Sequence, residues 1–204
     1  MKRAIFCYTT LILLAIAACS GECGILPEES LPYDSLREGD LVFRRGRNMT
    51  SNIVVAKDSY SYSHIGLVHK SDSGWHVIHA VNDEYDFNGD FDRVKMERIE
   101  KFFAPERASA GAIAHSFICD SIAHKITIQA LKHVKDSTRF DNDFILEDTN
   151  ELYCTELIHY LYKSVGVDIT EGRRTPTGLF GFPDEVIFPS DILCNKKLHI
   201  YFVY

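Results

Sequence analysis

Two short apolar runs, Ser63 to His69 and Trp75 to Val81, flank the polar spacer Lys70-Ser71-Asp72-Ser73-Gly74, and no other feature constrains the chain as much. A five-residue spacer closing on glycine has the length and chemistry of a hairpin loop, so the two runs read as paired antiparallel strands. Alternation along the second strand groups His79 with Val77 and Val81 and turns His76 away with Ile78. His64 and His79 then occupy successive strands, where pairing can bring two imidazoles together on one face. Alternation alone leaves open which face meets the rest of the molecule.

Leu152-Tyr153-Cys154-Thr155-Glu156-Leu157-Ile158, whose cysteine lies ninety residues after His64, opens a helical pattern. Leu157, Ile158, Leu161 and Val165 recur at helical spacing, while Lys163 and Ser164 belong to the outer side. The helix reads as beginning near Tyr153. Upstream, Asp148 and Glu151 have capping-box spacing, so an earlier start fits equally well. A cysteine in a first helical turn faces unpaired N–H groups and the positive dipole end, which favour thiolate. Taken alone, a helix cysteine is more often core packing than a nucleophile.

The remaining organisation is that of one domain over 39–204. Gly39-Asp40 is a turn leading into a strand at Leu41–Arg44, and 46–63 holds a short helix that could feed the site. Residues 82–93 form an acidic surface loop. Val94–Phe103 reads equally as strand or helix, Ala112–Cys119 as a strand, and Ile122–Lys135 as a helix. The segment after Gly166, through Gly172-Arg173-Arg174-Thr175-Pro176 to Pro183, is a loop of unusual length, the kind that often edges a functional site. Pro189–Leu193 precedes a last strand at Leu198–Tyr204.

The first residues carry an address rather than a fold. Lys2 and Arg3 precede an uncharged run from Ala4 to Ala18, short for a membrane span, that ends in Ile16-Ala17-Ala18-Cys19. This resembles a bacterial lipoprotein signal peptide over 1–18, with Cys19 as the lipidated first residue of the mature chain and 19–38 as a tether. The alternative is an ordinary secretory signal cut nearby; both export the protein. The resemblance implies a lipid anchor in the cell envelope, and uncharged Ser20 fits the outer membrane, facing the periplasm. The net charge of −7 becomes −9 without Lys2 and Arg3, since no acidic residue precedes Cys19. That balance, with Arg44-Arg45-Gly46-Arg47 as the single dense basic patch, disfavours nucleic-acid partners. The cysteines show no CxxC pair, which disfavours a cysteine zinc site; a Cys119–Cys194 disulfide is conceivable. The histidines show no HExxH or comparable spacing, so no metal or other cofactor is expected.

Five stretches in this order, Gly39-Asp40-Leu41-Val42-Phe43, Ser63-His64-Ile65-Gly66-Leu67-Val68, Val77-Ile78-His79-Ala80-Val81, Tyr153-Cys154-Thr155-Glu156-Leu157 and Pro189-Ser190-Asp191, resemble the NlpC/P60 superfamily. The histidine strand precedes the cysteine helix, which is similar to the circularly permuted, YiiX/YaeF-like branch. The resemblance implies an α+β, permuted papain-like fold with an antiparallel sheet packed against the nucleophile helix. It also implies Cys154 as nucleophile, His64 as base and position 79 as the orienting group. Relatives often carry Glu at that last position; His79 departs toward the Cys-His-His pattern of lecithin:retinol acyltransferase-like members.

The implied reaction is cleavage of an amide through a thioester, with the Cys154 backbone N–H as first oxyanion donor and Tyr153 as a cleft candidate. Glu156 has a structural reason to sit in the first turn, and Asp40 reads as a turn residue. A peptide, a peptidoglycan fragment or a small amide is the expected substrate. Two alternatives stay open: lipid acyl transfer, suggested by His79 and Leu179-Phe180-Gly181-Phe182, and an envelope lipoprotein that binds without catalysis. Oligomeric state is not readable.

Overall fold

The computed structural model describes residues 31–58, 60–146, 150–178, 181 and 183–204. The expected signal peptide, Cys19 and most of the expected tether lie outside the described residues, as do Asp148, Thr149, Leu179, Phe180 and Phe182.

Six strands build one antiparallel sheet in the order β4-β3-β2-β1-β5-β8. They are β1 (Leu41–Gly46), β2 (His64–Ser71), β3 (Gly74–Val81), β4 (Arg93–Arg98), β5 (Ala108–His115) and β8 (His199–Val203). The β2–β3 hairpin forms with Leu67 opposite Ile78, but the strands run on into the expected five-residue loop, pairing Lys70 with Trp75 and Ser71 with Gly74, so only Asp72 and Ser73 make the turn. Gly74 takes φ of +117°, a conformation that side chains rarely adopt. Helices interrupt the strands at α1 (Met49–Asp58), α2 (Ile99–Phe102), α3 (Asp120–Asp136), α4 (Cys154–Lys163) and α5 (Pro189–Leu193). Thr175–Pro176 (β6) and Glu185–Val186 (β7) pair as a small ribbon, so the long segment after Gly172 is partly ordered by its own hydrogen bonds.

Both faces of the sheet are covered. On one face Ile65, Leu67, Ile78 and Ala80 pack against Ile126 and Ala130 of α3 and Leu157, Ile158 and Leu161 of α4. On the other, Val42, Val68 and Val77 meet Ile99, Phe102 and Phe103. Burial of this kind stabilises by roughly 25 cal/mol per Å² of apolar surface, so the two-sided cover is what holds the sheet.

Several expectations change in detail. The ambiguous stretch at 94–103 is both things, strand β4 and then the one-turn helix α2. The strand expected at Ala112–Cys119 lies four residues earlier, because Cys119 is the N-cap of α3 and the chain must turn before it. The tether expectation for 19–38 fails at its end: Leu31 and Leu36 are buried in the second core, where they cover Val42, Val68 and Val77. Cys119 and Cys194 are free thiols, not a disulfide. Among the described residues no helix is long and apolar enough to cross a membrane.

Candidate active site

The site forms where β2 begins. Gly46 N–H donates to Ser63 Oγ at 2.9 Å and Ser63 N–H to Arg44 O at 3.0 Å, which fixes the entry of β2 against the end of β1. His64 is the next residue. It shares a face with Val68, so its imidazole lies on the α2 side of the sheet, with Phe102 5.8 Å away between ring centroids. His79 reaches the same face from β3 and is fully buried. Nε2 of His64 and Nδ1 of His79 are 2.8 Å apart, with the rings edge-on.

Behind His79 stands a residue that motif reasoning missed. Glu97 Oε1 lies 3.2 Å from His79 Nε2, in ion-pair range though off the ideal hydrogen-bonding direction. Lys95 is the direct cross-strand partner of His79, and Glu97 is the diagonal neighbour two residues on. The signal that finds it is strand register, which needs β4 to be recognised as a strand paired with β3. Glu97 is held in turn by Arg107 Nη1 at 2.8 Å and Arg44 Nη1 at 4.0 Å. Arg44 is itself buried, donating to Phe102 O at 2.8 Å, pairing with Glu84 and resting 4.4 Å over the Phe102 ring.

These surroundings set the protonation states. Burial, reinforced by Arg44, His79 and Lys95, pushes His64 well below an ordinary imidazole. His79 is also lowered by burial, which Glu97 partly offsets. Burial alone would raise the Glu97 carboxyl, but His79, Arg107 and Arg44 together hold it well below the usual carboxylate range. The arrangement is an ionised carboxylate backing two neutral imidazoles.

Cys154 arrives from the opposite layer. Helix α4 starts at Cys154 itself, with Tyr153 as N-cap and Glu156 Oε2 accepting the Tyr153 N–H at 3.4 Å, the structural role expected for Glu156. The β2–β3 ladder begins only at Leu67–Ile78. Since Val68 N–H bonds to Asp40 O across β1, alternation turns the Ile65 N–H toward β3, beyond the end of that ladder, and there it faces the Cys154 sulfur. The N–H groups of Cys154 and Thr155 face the sulfur too. A cavity of about 440 Å³ opens at this splay, lined by both Cys154 and His64, with Arg44, Arg47, Glu84, Arg107, Phe140 and Phe144 around it.

The thiolate expectation is corrected by the structure. The helix start and three N–H groups do act to lower the thiol, but burial outweighs them and pushes Cys154 up to about 11. Cys154 as a residue is only partly buried and lines the cavity, although the environment of its thiol is dry. His64 hydrogen-bonds to His79, and the resting pair is thiol and imidazole, both neutral. Tyr153 is not on the cavity wall: its ring is buried 5.3 Å from Phe144 and its hydroxyl accepts Ile187 N–H at 3.0 Å. Asp40 is structural, accepting the Arg37 N–H at 2.9 Å and contacting His115 and the Tyr201 hydroxyl.

No family model and no curated protein matches the chain. Its fold is similar to the crystal structure of metalloprotein yiiX from Escherichia coli O157:H7, with a TM-score of 0.66 at 14% identity over 82% of this chain and 97% of that one. Among the described residues no three His, Cys, Asp or Glu side chains converge as metal ligands, and His64 Nε2 and His79 Nδ1 are occupied with one another, so the site does not fit a metal. The chain therefore has an α+β, YiiX-like fold.

Proposed function

We propose that this chain is a cysteine hydrolase of permuted papain-like architecture, cleaving an amide in a peptide or peptidoglycan fragment. The observation that carries the reading is the shared cavity wall of Cys154 and His64, with His79 and Glu97 in line behind the imidazole. As the sulfur attacks the carbonyl carbon, its proton passes to His64 Nδ1, the nitrogen not bonded to His79. The N–H groups at the start of α4 stabilise the negative oxygen. Collapse breaks the C–N bond, the amine leaves with the proton from His64, and a thioester remains. Water then gives a proton to His64 as it attacks, the acid is released, and the proton returns to the sulfur. A dry, neutral pair fits general-base activation at the moment of attack rather than a stored thiolate–imidazolium pair.

The setting proposed from the leader is the bacterial envelope, with a lipid on Cys19 facing the periplasm. The test is incubation of the lipidated chain with muropeptides and, separately, with phospholipid vesicles, followed by mass spectrometry. Amide cleavage with an acyl adduct on Cys154, absent from Cys154→Ala, is expected. Acyl exchange without amide cleavage would replace the reading with lipid acyl transfer. Absence of an adduct with either would favour a binding protein.

A further inference from the structure

We propose that Glu97 is the positioning residue of this site, acting through both imidazoles to keep Nδ1 of His64 free of its proton. The inference rests on the cysteine-hydrolase reading above. An ionised carboxylate can only accept, so the His79 nitrogen beside it, Nε2 at 3.2 Å, carries the hydrogen. A neutral imidazole has one N–H, which leaves Nδ1 of His79 as an acceptor. The 2.8 Å contact then requires the hydrogen on Nε2 of His64, and Nδ1 of His64 keeps its lone pair. One carboxylate thus fixes two tautomers in series, and the second is the form that a base must have.

The charges around the pair support the assignment. Arg107 and Arg44 keep the Glu97 carboxylate ionised, while Arg44 from β1 and Lys95 from β4 oppose protonation of His64, and Glu84 balances Arg44 and Arg107 from the loop after β3. Phe102 packs against both rings, tilted at 5.8 Å from His64 and edge-on at 5.3 Å from His79. Without Glu97 both rings could exchange tautomers together, since the contact between them is satisfied in either sense.

Long-range proton–nitrogen spectra of histidine in the wild-type chain, near pH 8, read the assignment directly. Hydrogens on Nε2 of both rings are expected; a His64 protonated at Nδ1 overturns the proposal. In Glu97→Gln the amide can donate to His79 Nε2, which reverses both tautomers. Acylation of Cys154 by p-nitrophenyl acetate should then fall by about a hundredfold or more, while Glu97→Asp keeps the tautomers and recovers part of the rate. A folded Glu97→Gln chain with unchanged tautomers overturns the proposal, and so does a rate loss without tautomer reversal, which is what a purely structural role predicts. If Glu97→Gln does not fold, the wild-type and Glu97→Asp spectra decide. Assigned tautomers in a wild-type chain whose Cys154 is never acylated would support the relay and sink the hydrolase reading, so the two failures are separable.

Discussion

Alkylation with iodoacetamide should rank the described cysteines in an order set by burial rather than by helix position. Cys119 and Cys154 both stand at a helix start, one as the N-cap of α3 and the other as the first residue of α4. Cys119 is exposed, and its thiol is lowered by the Ser121 hydroxyl and nearby N–H groups. Cys154 is raised to about 11 because burial outweighs similar donors. Near pH 8 a thiol at that value is thiolate in about one part in a thousand, against about one in four for an unperturbed thiol near 8.5, a difference of about two hundredfold in reactive species. Mass spectrometry of the peptides after timed labelling should find Cys119 modified early and Cys154 last, with a rate that climbs through about pH 11. Because His64 is neutral at rest, His64→Ala should leave that midpoint in place. A Cys154 that reacts as fast as Cys119 near neutrality, on a plateau extending into acid, would show a stored ion pair and refute the neutral-pair mechanism.

Tyr153→Phe removes the acceptor for the buried Ile187 N–H and should cost about 1–3 kcal/mol in urea unfolding with the acylation rate little changed; a selective rate loss would return Tyr153 to the cleft. Gly66→Ala places a Cβ 2.3 Å from Val77 Cγ1 and 3.3 Å from His79 Cβ, so a loss of about 1–3 kcal/mol is expected, read as a lower urea midpoint. Acid should destabilise the fold in two overlapping steps. The unfolded chain takes up protons on His64 and His79 as pH falls below about 6.5, and on Glu97 below about 4.5, before the folded chain does. Their contribution is complete above those values and is lost downward, so the melting temperature should decline from about pH 7; a flat profile to about pH 5 would contradict buried neutral imidazoles.

How much of this could be read from the residues depends on the range of the physics involved. The His64–His79 pairing is local: alternation along two strands joined by a short turn places both side chains on one face, and the structure has them 2.8 Å apart. The helix at Cys154 is also local, with Glu156 capping Tyr153 three residues away. Glu97 was hidden because its relation to His79 runs through the register of β4, across an acidic loop whose length carries no register, from a stretch with no clear period. The protonation of Cys154 escapes local reasoning for a related reason. A helix start is visible in sequence, while the depth at which a sulfur sits is decided by strands far upstream, where β2 and β3 part. The same splay explains how a sulfur from the helix layer and the His64 imidazole from the opposite face can share a cavity at all. Had the ladder continued to Ala80, the Ile65 N–H would have been spent within the sheet, and sheet backbone would have separated the nucleophile from its base.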